Sequence, residues 1–187
     1  MAGIDLFDVA FVCTGNRFRS PLAAALLEST GLQVRPHSLG LLDLGPVPAL
    51  PEAIELATAT GLDLSNHRAR QLADVELSAS DLVLGFEQIH VSAAVVDGQA
   101  AIGRTFTLPE LVALLQKLPE ASTGGRGTAV EEARARVEQA HALRAASPQS
   151  RSAPEIDDPL GRPLSVQRRT AEEIRFLVAE LASRLFG

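Results

Sequence analysis

The chain has 187 residues, 46% of them hydrophobic, and a net charge of −6 at pH 7. That length suits one domain with a full core, and the acidic balance argues against nucleic acid or an anionic membrane surface as a partner. Lys117 is the lone lysine and Cys13 the lone cysteine, which excludes a Walker-type Gly-Lys-Ser/Thr loop, an internal disulfide and a multi-thiol metal site.

Val9 to Val12 is a short apolar run and reads as a buried strand of a parallel sheet. Cys13 ends it. Five residues follow, Thr14, Gly15, Asn16, Arg17 and Phe18, and then Arg19. Ser20 and Pro21 suit an N-cap and a first helical position, so a helix is expected over 21–30, stopped by Gly31. Strand, tight loop and helix together aim backbone N–H groups and a helix dipole into one concavity, where an anion belongs. A thiolate at the strand's end would be stabilised by the same field. Arg19 can turn its fork back onto that anion and hold two oxygens. With 16 arginines in the chain the Cys-to-Arg spacing alone is weak, and a lone cysteine is more often a small buried hydrophobe. The surrounding strand, Gly, Asn and Ser-Pro give the spacing its weight.

A second strand is expected over 32–38, at the sheet edge because of Pro36. The Gly- and Pro-rich stretch 39–48 is a loop on the ligand side of the sheet, with Leu41 and Leu42 as apolar walls. Pro51 starts a second helix that Gly61 ends. His67, in Ser65-Asn66-His67-Arg68-Ala69-Arg70, reads from the residues alone as a surface loop histidine. Residues 80–86 form a third strand and 87–96 a helix carrying His90. A short fourth strand spans 101–106, and Thr107 caps the next helix. The stretch 119–154 holds a flexible turn at 122–125, one exposed amphipathic helix over 129–146 with Val130, Ala133, Val137 and Ala140 inward, and a loose linker at 147–150. Ile156-Asp157-Asp158-Pro159-Leu160-Gly161 is by itself an acidic turn. A long amphipathic helix over 164–186 closes the core.

Val12 to Pro21 resembles the active-site loop of the low-molecular-weight protein tyrosine phosphatases, Val-Cys-x-Gly-Asn-x-x-Arg-Ser-Pro. The resemblance implies a three-layer α/β/α fold with a four-stranded parallel sheet and the phosphate loop between strand 1 and helix 1. It implies one phosphatase-like domain over 1–187, with a helical insertion at about 119–154. The implied chemistry is hydrolysis of phosphotyrosine or another phosphate monoester through a cysteinyl-phosphate intermediate, with Cys13 as nucleophile. The backbone of Thr14, Gly15, Asn16, Arg17, Phe18 and Arg19 and the Arg19 guanidinium would bind the phosphate. Asp158, which directly precedes a proline, would be the general acid, with Asp157 as fallback. Ser20 would hydrogen-bond the thiolate, and His67 would brace Asn16. No metal or cofactor is implied, and the substrate is a phosphorylated protein or a small phosphate monoester.

The chain departs from the family at Phe18, where a second loop cysteine usually stands, and at Leu160 and Gly161, where tyrosines often wall the pocket. Arsenate reductases share the fold and loop. The thioredoxin-coupled kind needs more cysteines than this chain has, and a kind using a small thiol such as mycothiol needs only Cys13. An inactive phosphate-binding module is a third alternative. Residues 1–7 lack the basic cluster of a secretory signal, no apolar run approaches the roughly 20 residues of a membrane span, and a free thiol kept for chemistry fits a reducing compartment, so a cytoplasmic protein is expected.

Overall fold

A computed structural model describes residues 4–120, 127–146 and 155–187. The first strand, β1 (Phe7–Cys13), is buried along its whole length. Its side chains alternate, as a strand's must. Phe7, Val9, Phe11 and Cys13 enter the larger core cluster, and Ala10 and Val12 enter a smaller one on the opposite face. Helix α1 (Arg19–Glu28) follows, then β2 (Val34–Gly40), α2 (Pro51–Thr58), β3 (Leu82–Gly85), α3 (Gln88–Val96), β4 (Thr105–Thr107), α4 (Leu108–Leu115), α5 (Ala129–Ala146) and α6 (Leu164–Phe186). The sheet has four parallel strands in the order β2-β1-β3-β4. Pro36 faces Val9 from the edge strand β2, where its missing N–H costs no second ladder bond.

Helices α1, α4, α5 and α6 pack their apolar residues into the larger cluster. Helix α3 and the turn near Leu72 cover the other face. This is the three-layer α/β arrangement expected. The Thr107 hydroxyl accepts from the Glu110 amide at 3.2 Å and caps α4.

Two expectations need correction. Ser20 does not cap α1. The helix begins at Arg19, Phe18 stands at the cap without a side-chain bond, and Ser20 turns inward beside Cys13. Leu41 does not wall the ligand side; it packs against the smaller core cluster, whereas Leu42 lines the cavity as expected, joined by Leu44.

The inward face of α5 is the one the spacing indicates, with Val130, Ala133, Val137 and Ala140 almost fully buried. The helix is also anchored by arginines that spacing does not reveal. Arg144 donates to the Thr105 and Ile102 carbonyls at 2.7 and 2.5 Å and lies over the Phe106 ring, 3.9 Å from its centroid. Arg134 bridges Asp5 and Asp81, which raises its already high pKa further through those hydrogen bonds. The turn expected at 122–125 and the linker expected at 147–150 lie outside the described residues. Among the described residues no helix is long and apolar enough to cross a membrane.

Candidate active site

The carboxyl end of β1 delivers Cys13 to the edge of the sheet, where Thr14 to Phe18 turn the chain into α1. Helix N-termini leave amide donors without intrahelical partners, so this turn suits an anion. Asn16 adopts φ 51°, a left-handed conformation that Asn tolerates better than most residues. Its side chain holds the turn closed: Nδ2 donates to Ser20 Oγ at 2.9 Å, and Oδ1 accepts from the Arg70 amide at 2.9 Å. His67 Nε2 donates to the Asn16 carbonyl at 2.7 Å. Burial is the main cause holding the His67 pKa below its ordinary value, helped by the charge of Arg68 and opposed by the bond to Asn16. Gly40 is obligatory beside this turn, because a Cβ there would lie 2.9 Å from the Asn16 amide nitrogen.

The Ser20 hydroxyl sits 3.0 Å from Cys13 Sγ and 3.3 Å from the Leu39 carbonyl. It already accepts from Asn16, so its single proton is left for the sulfur or for that carbonyl. Cys13 is 2% exposed and opens onto a cavity of about 230 Å³ shared with Gly15, Arg17, Phe18, Arg19, Leu42, Leu44, Leu50, Asp158 and Leu160. The Arg17 side chain lies along the rim, with Nε bonded to the Pro48 carbonyl at 2.9 Å.

Arg19 is 1% exposed and spends its fork on four acceptors. Nη1 donates to the Ile156 carbonyl at 2.8 Å and to Glu87 Oε1. Nη2 donates to Asp158 Oδ2 at 2.8 Å and to Thr14 Oγ1 at 3.1 Å. Asp158, distant in sequence, is thus brought to the loop, whereas Asp157 is exposed. The other Asp158 oxygen accepts from the Leu160 amide at 3.1 Å.

Two residues at the start of α3 join this network. His90 Nδ1 accepts from the Glu87 and Phe86 amides at 3.0 and 3.3 Å, so the ring proton is on Nε2, 3.1 Å from Thr14 Oγ1. Gly85 permits this approach, because a Cβ there would lie 2.8 Å from His90 Cβ. Neither residue is marked by the sequence pattern, which places His90 on a helix and Glu87 at that helix's start. The one signal for either is position: both follow the carboxyl end of a parallel strand, where open α/β sheets assemble their sites.

Burial, reinforced by the Arg19 charge and opposed by Glu87 and Asp158, pushes the His90 pKa from 6.5 down to about 4. In the unfolded chain His90 binds its proton near 6.5, so between these values protonation favours unfolding. The contribution is fully present above pH 6.5 and is lost as pH falls toward 4, on the order of 3 kcal/mol in all. Urea midpoints of the wild type are expected to fall between pH 7.5 and 4.5, and His90→Gln should flatten that slope. An equal slope in the variant would show that His90 is not the group responsible.

The architecture and its loop put the molecule among the phosphatases. More narrowly, the chain belongs to the low molecular weight phosphotyrosine protein phosphatase family, whose family model matches residues 8–143. A probable low molecular weight protein-tyrosine-phosphatase, EpsP of Ralstonia nicotianae, is 36% identical over 103 residues, covering 55% of this chain and 71% of that protein. The protein-arginine-phosphatase of Bacillus subtilis is 27% identical over 182 residues, 95% of this chain and 96% of that one. The structure of the YwlE arginine phosphatase from Geobacillus stearothermophilus superposes with a TM-score of 0.66 at 28% identity, covering 96% of this chain and 92% of that one.

Proposed function

We propose that this protein removes phosphoryl groups from phosphorylated protein side chains by two-step transfer at Cys13. The observation that carries the proposal is the convergence of Cys13, the Arg19 fork and the Asp158 carboxylate on one cavity at a helix start. The Cys13 thiolate attacks phosphorus in line with the leaving atom; the S–P bond forms as the P–O bond breaks. Asp158 gives its proton to the departing oxygen, which carries off the electron pair. Water, losing a proton to Asp158, then hydrolyses the cysteinyl phosphate and restores the thiolate. Arg19 and the amides of Thr14 to Arg19 bear the charge on the equatorial oxygens, the larger part of what phosphoryl transfer requires of a protein. The Ser20 hydroxyl stabilises the thiolate as nucleophile and leaving group. Thr14 Oγ1 accepts from both His90 and Arg19, so its own proton is free to reach a substrate oxygen. No metal or cofactor takes part, the whole of residues 1–187 acts as one domain with the 119–154 insertion, and the lone thiol functions in a reducing cytoplasm.

The phosphorylated residue need not be tyrosine. Two of the relatives matched over nearly their whole length are named arginine phosphatases, and tyrosine phosphatases are matched as fully. The cavity wall is aliphatic at Leu42, Leu44, Leu50 and Leu160, and among the described residues Phe18 is the one aromatic that lines it, which offers little stacking for an aryl group. The Asp158 carboxylate stands beside the fork and lines the cavity, and it would suit a cationic leaving guanidine. This second reading changes only the bond broken, P–N in place of P–O, with the electron pair and the Asp158 proton going to nitrogen.

Both readings are tested by hydrolysis near pH 6 of a series of aryl phosphates and of a phosphoarginine peptide. Asp158→Ala is expected to slow turnover by about 10²–10³-fold with poor leaving groups and much less with good ones, because an acidic phenol departs without a proton. An equal loss across the series would remove Asp158 from the acid's role. Failure of reduced wild type to turn over any member would sink the phosphatase reading, and arsenate with mycothiol would be tried next.

A further inference from the structure

Glu87 has no part in the reaction as written above, yet it shares Arg19 with the proposed acid. All four Nη protons of Arg19 are committed, to Ile156 O, Glu87 Oε1, Thr14 Oγ1 and Asp158 Oδ2. A phosphoryl oxygen can therefore reach an Nη proton only by displacing one of these acceptors. Ile156 is 1% exposed and its amide is tied to the Phe86 carbonyl at 2.9 Å, so its carbonyl stays. Thr14 Oγ1 is held from behind by His90.

The two carboxylates are held differently. Asp158 lies in an irregular segment before a turn, its side chain is 37% exposed, and it faces the cavity. Glu87 stands where β3 passes into α3; its amide is bonded to His90, its side chain is 27% exposed, and it is not among the cavity-lining residues. Asp158 can swing away and Glu87 cannot readily follow.

We propose that Glu87 is a positioning residue for Arg19 that trades phosphate affinity for turnover. This rests on the phosphatase reading. Glu87 pins Nη1, so the side of the fork bearing Nη2 is offered to the phosphoryl group as Asp158 leaves. Its charge also partly neutralises the guanidinium. With Asp158 ionised, Arg19, Glu87 and Asp158 together carry one net negative charge, which keeps the phosphate product from binding too tightly. The functional consequence is a site that orients an anion firmly and releases it readily.

The test is Glu87→Gln, which keeps an acceptor oxygen for Nη1 and removes only the charge. Calorimetric titration with inorganic phosphate near pH 6 should show Kd tightened by about 3- to 30-fold, the size expected from deleting a partly screened charge several ångströms from the anion. Over the same comparison kcat for an aryl phosphate should fall by about tenfold, because the fork is less firmly aimed and product leaves more slowly. Phosphate affinity and turnover thus move in opposite directions, which loss of an ordinary structural contact would not produce. An unchanged Kd, or a weakened Kd together with a lowered kcat and melting temperature, overturns the proposal.

Should Glu87→Gln fail to fold, Glu87→Asp serves. It keeps the charge and withdraws the carboxylate by one methylene, so it should lower kcat and leave the phosphate Kd near wild type; a tightened Kd there would equally overturn the idea. The titration needs no turnover. A wild type that binds phosphate and hydrolyses nothing would sink the phosphatase reading, while the effect of Glu87 on phosphate binding would still be read.

Discussion

Cys13→Ser is expected to abolish hydrolysis of aryl phosphates, with kcat lowered by roughly 10⁴-fold or more, as when an essential nucleophile is removed elsewhere. The reason is the chemistry of the atom. A thiol reaches its anionic form near neutral pH, whereas a serine hydroxyl needs a general base to lose its proton. Among the described residues the side chain within hydrogen-bond distance of Cys13 Sγ is Ser20, another hydroxyl, which cannot serve as that base. The fold should survive. Cys13 is 2% exposed, and the buried Ser hydroxyl that replaces its thiol would find Ser20 Oγ as partner, so a loss of about 1–2 kcal/mol is expected. Two measurements make the result decisive: turnover, expected absent, and binding of inorganic phosphate, expected intact. A Cys13→Ser protein that retained even a few per cent of wild-type turnover would move the nucleophile elsewhere.

Arg19→Lys should be nearly as damaging, with kcat/KM lowered by about 10³-fold. It retains the charge, so an intact activity would mean that charge alone suffices. The geometry argues otherwise. Arg19 reaches Ile156 O, Glu87, Thr14 and Asp158 from two nitrogens held in one plane. An ammonium has three donors on one atom and cannot span those positions or present a fork to two phosphate oxygens. A stability cost follows as well. Arg19 is 1% exposed, and a lysine would leave the Ile156 carbonyl or a carboxylate poorly satisfied, at about 2–4 kcal/mol. Kinetics and thermal melting together separate the two effects. A Lys variant within tenfold of wild-type kcat/KM would show that bidentate binding is not needed.

The parts of the fold legible in the sequence are those written in short-range pattern. Val9 to Val12 reads as a buried strand, Pro36 points to a sheet edge, and the 3.6-residue period over 164–186 marks a core-closing helix. Ser20 shows the limit of such reasoning. Ser followed by Pro is a sound local cap signal, but the helix starts one residue earlier and turns the hydroxyl to Cys13. The nearby sulfur, the Leu39 carbonyl and Asn16 outweigh a capping preference worth about 1 kcal/mol. Leu41 and Leu42 show the same limit, since a loop without a period does not declare which of two neighbours faces inward.

The chain by itself therefore determined the loop from Cys13 to Arg19, the alternation of strands and helices and the apolar faces, because strand and helix periods are local properties of the backbone. Only the tertiary structure decided that Glu87, Ile156 and Asp158 meet around one guanidinium, with His90 behind Thr14. Those contacts join residues 68 and 139 positions from Arg19, and what brings them together is the common carboxyl edge of strands whose order in space no local pattern encodes.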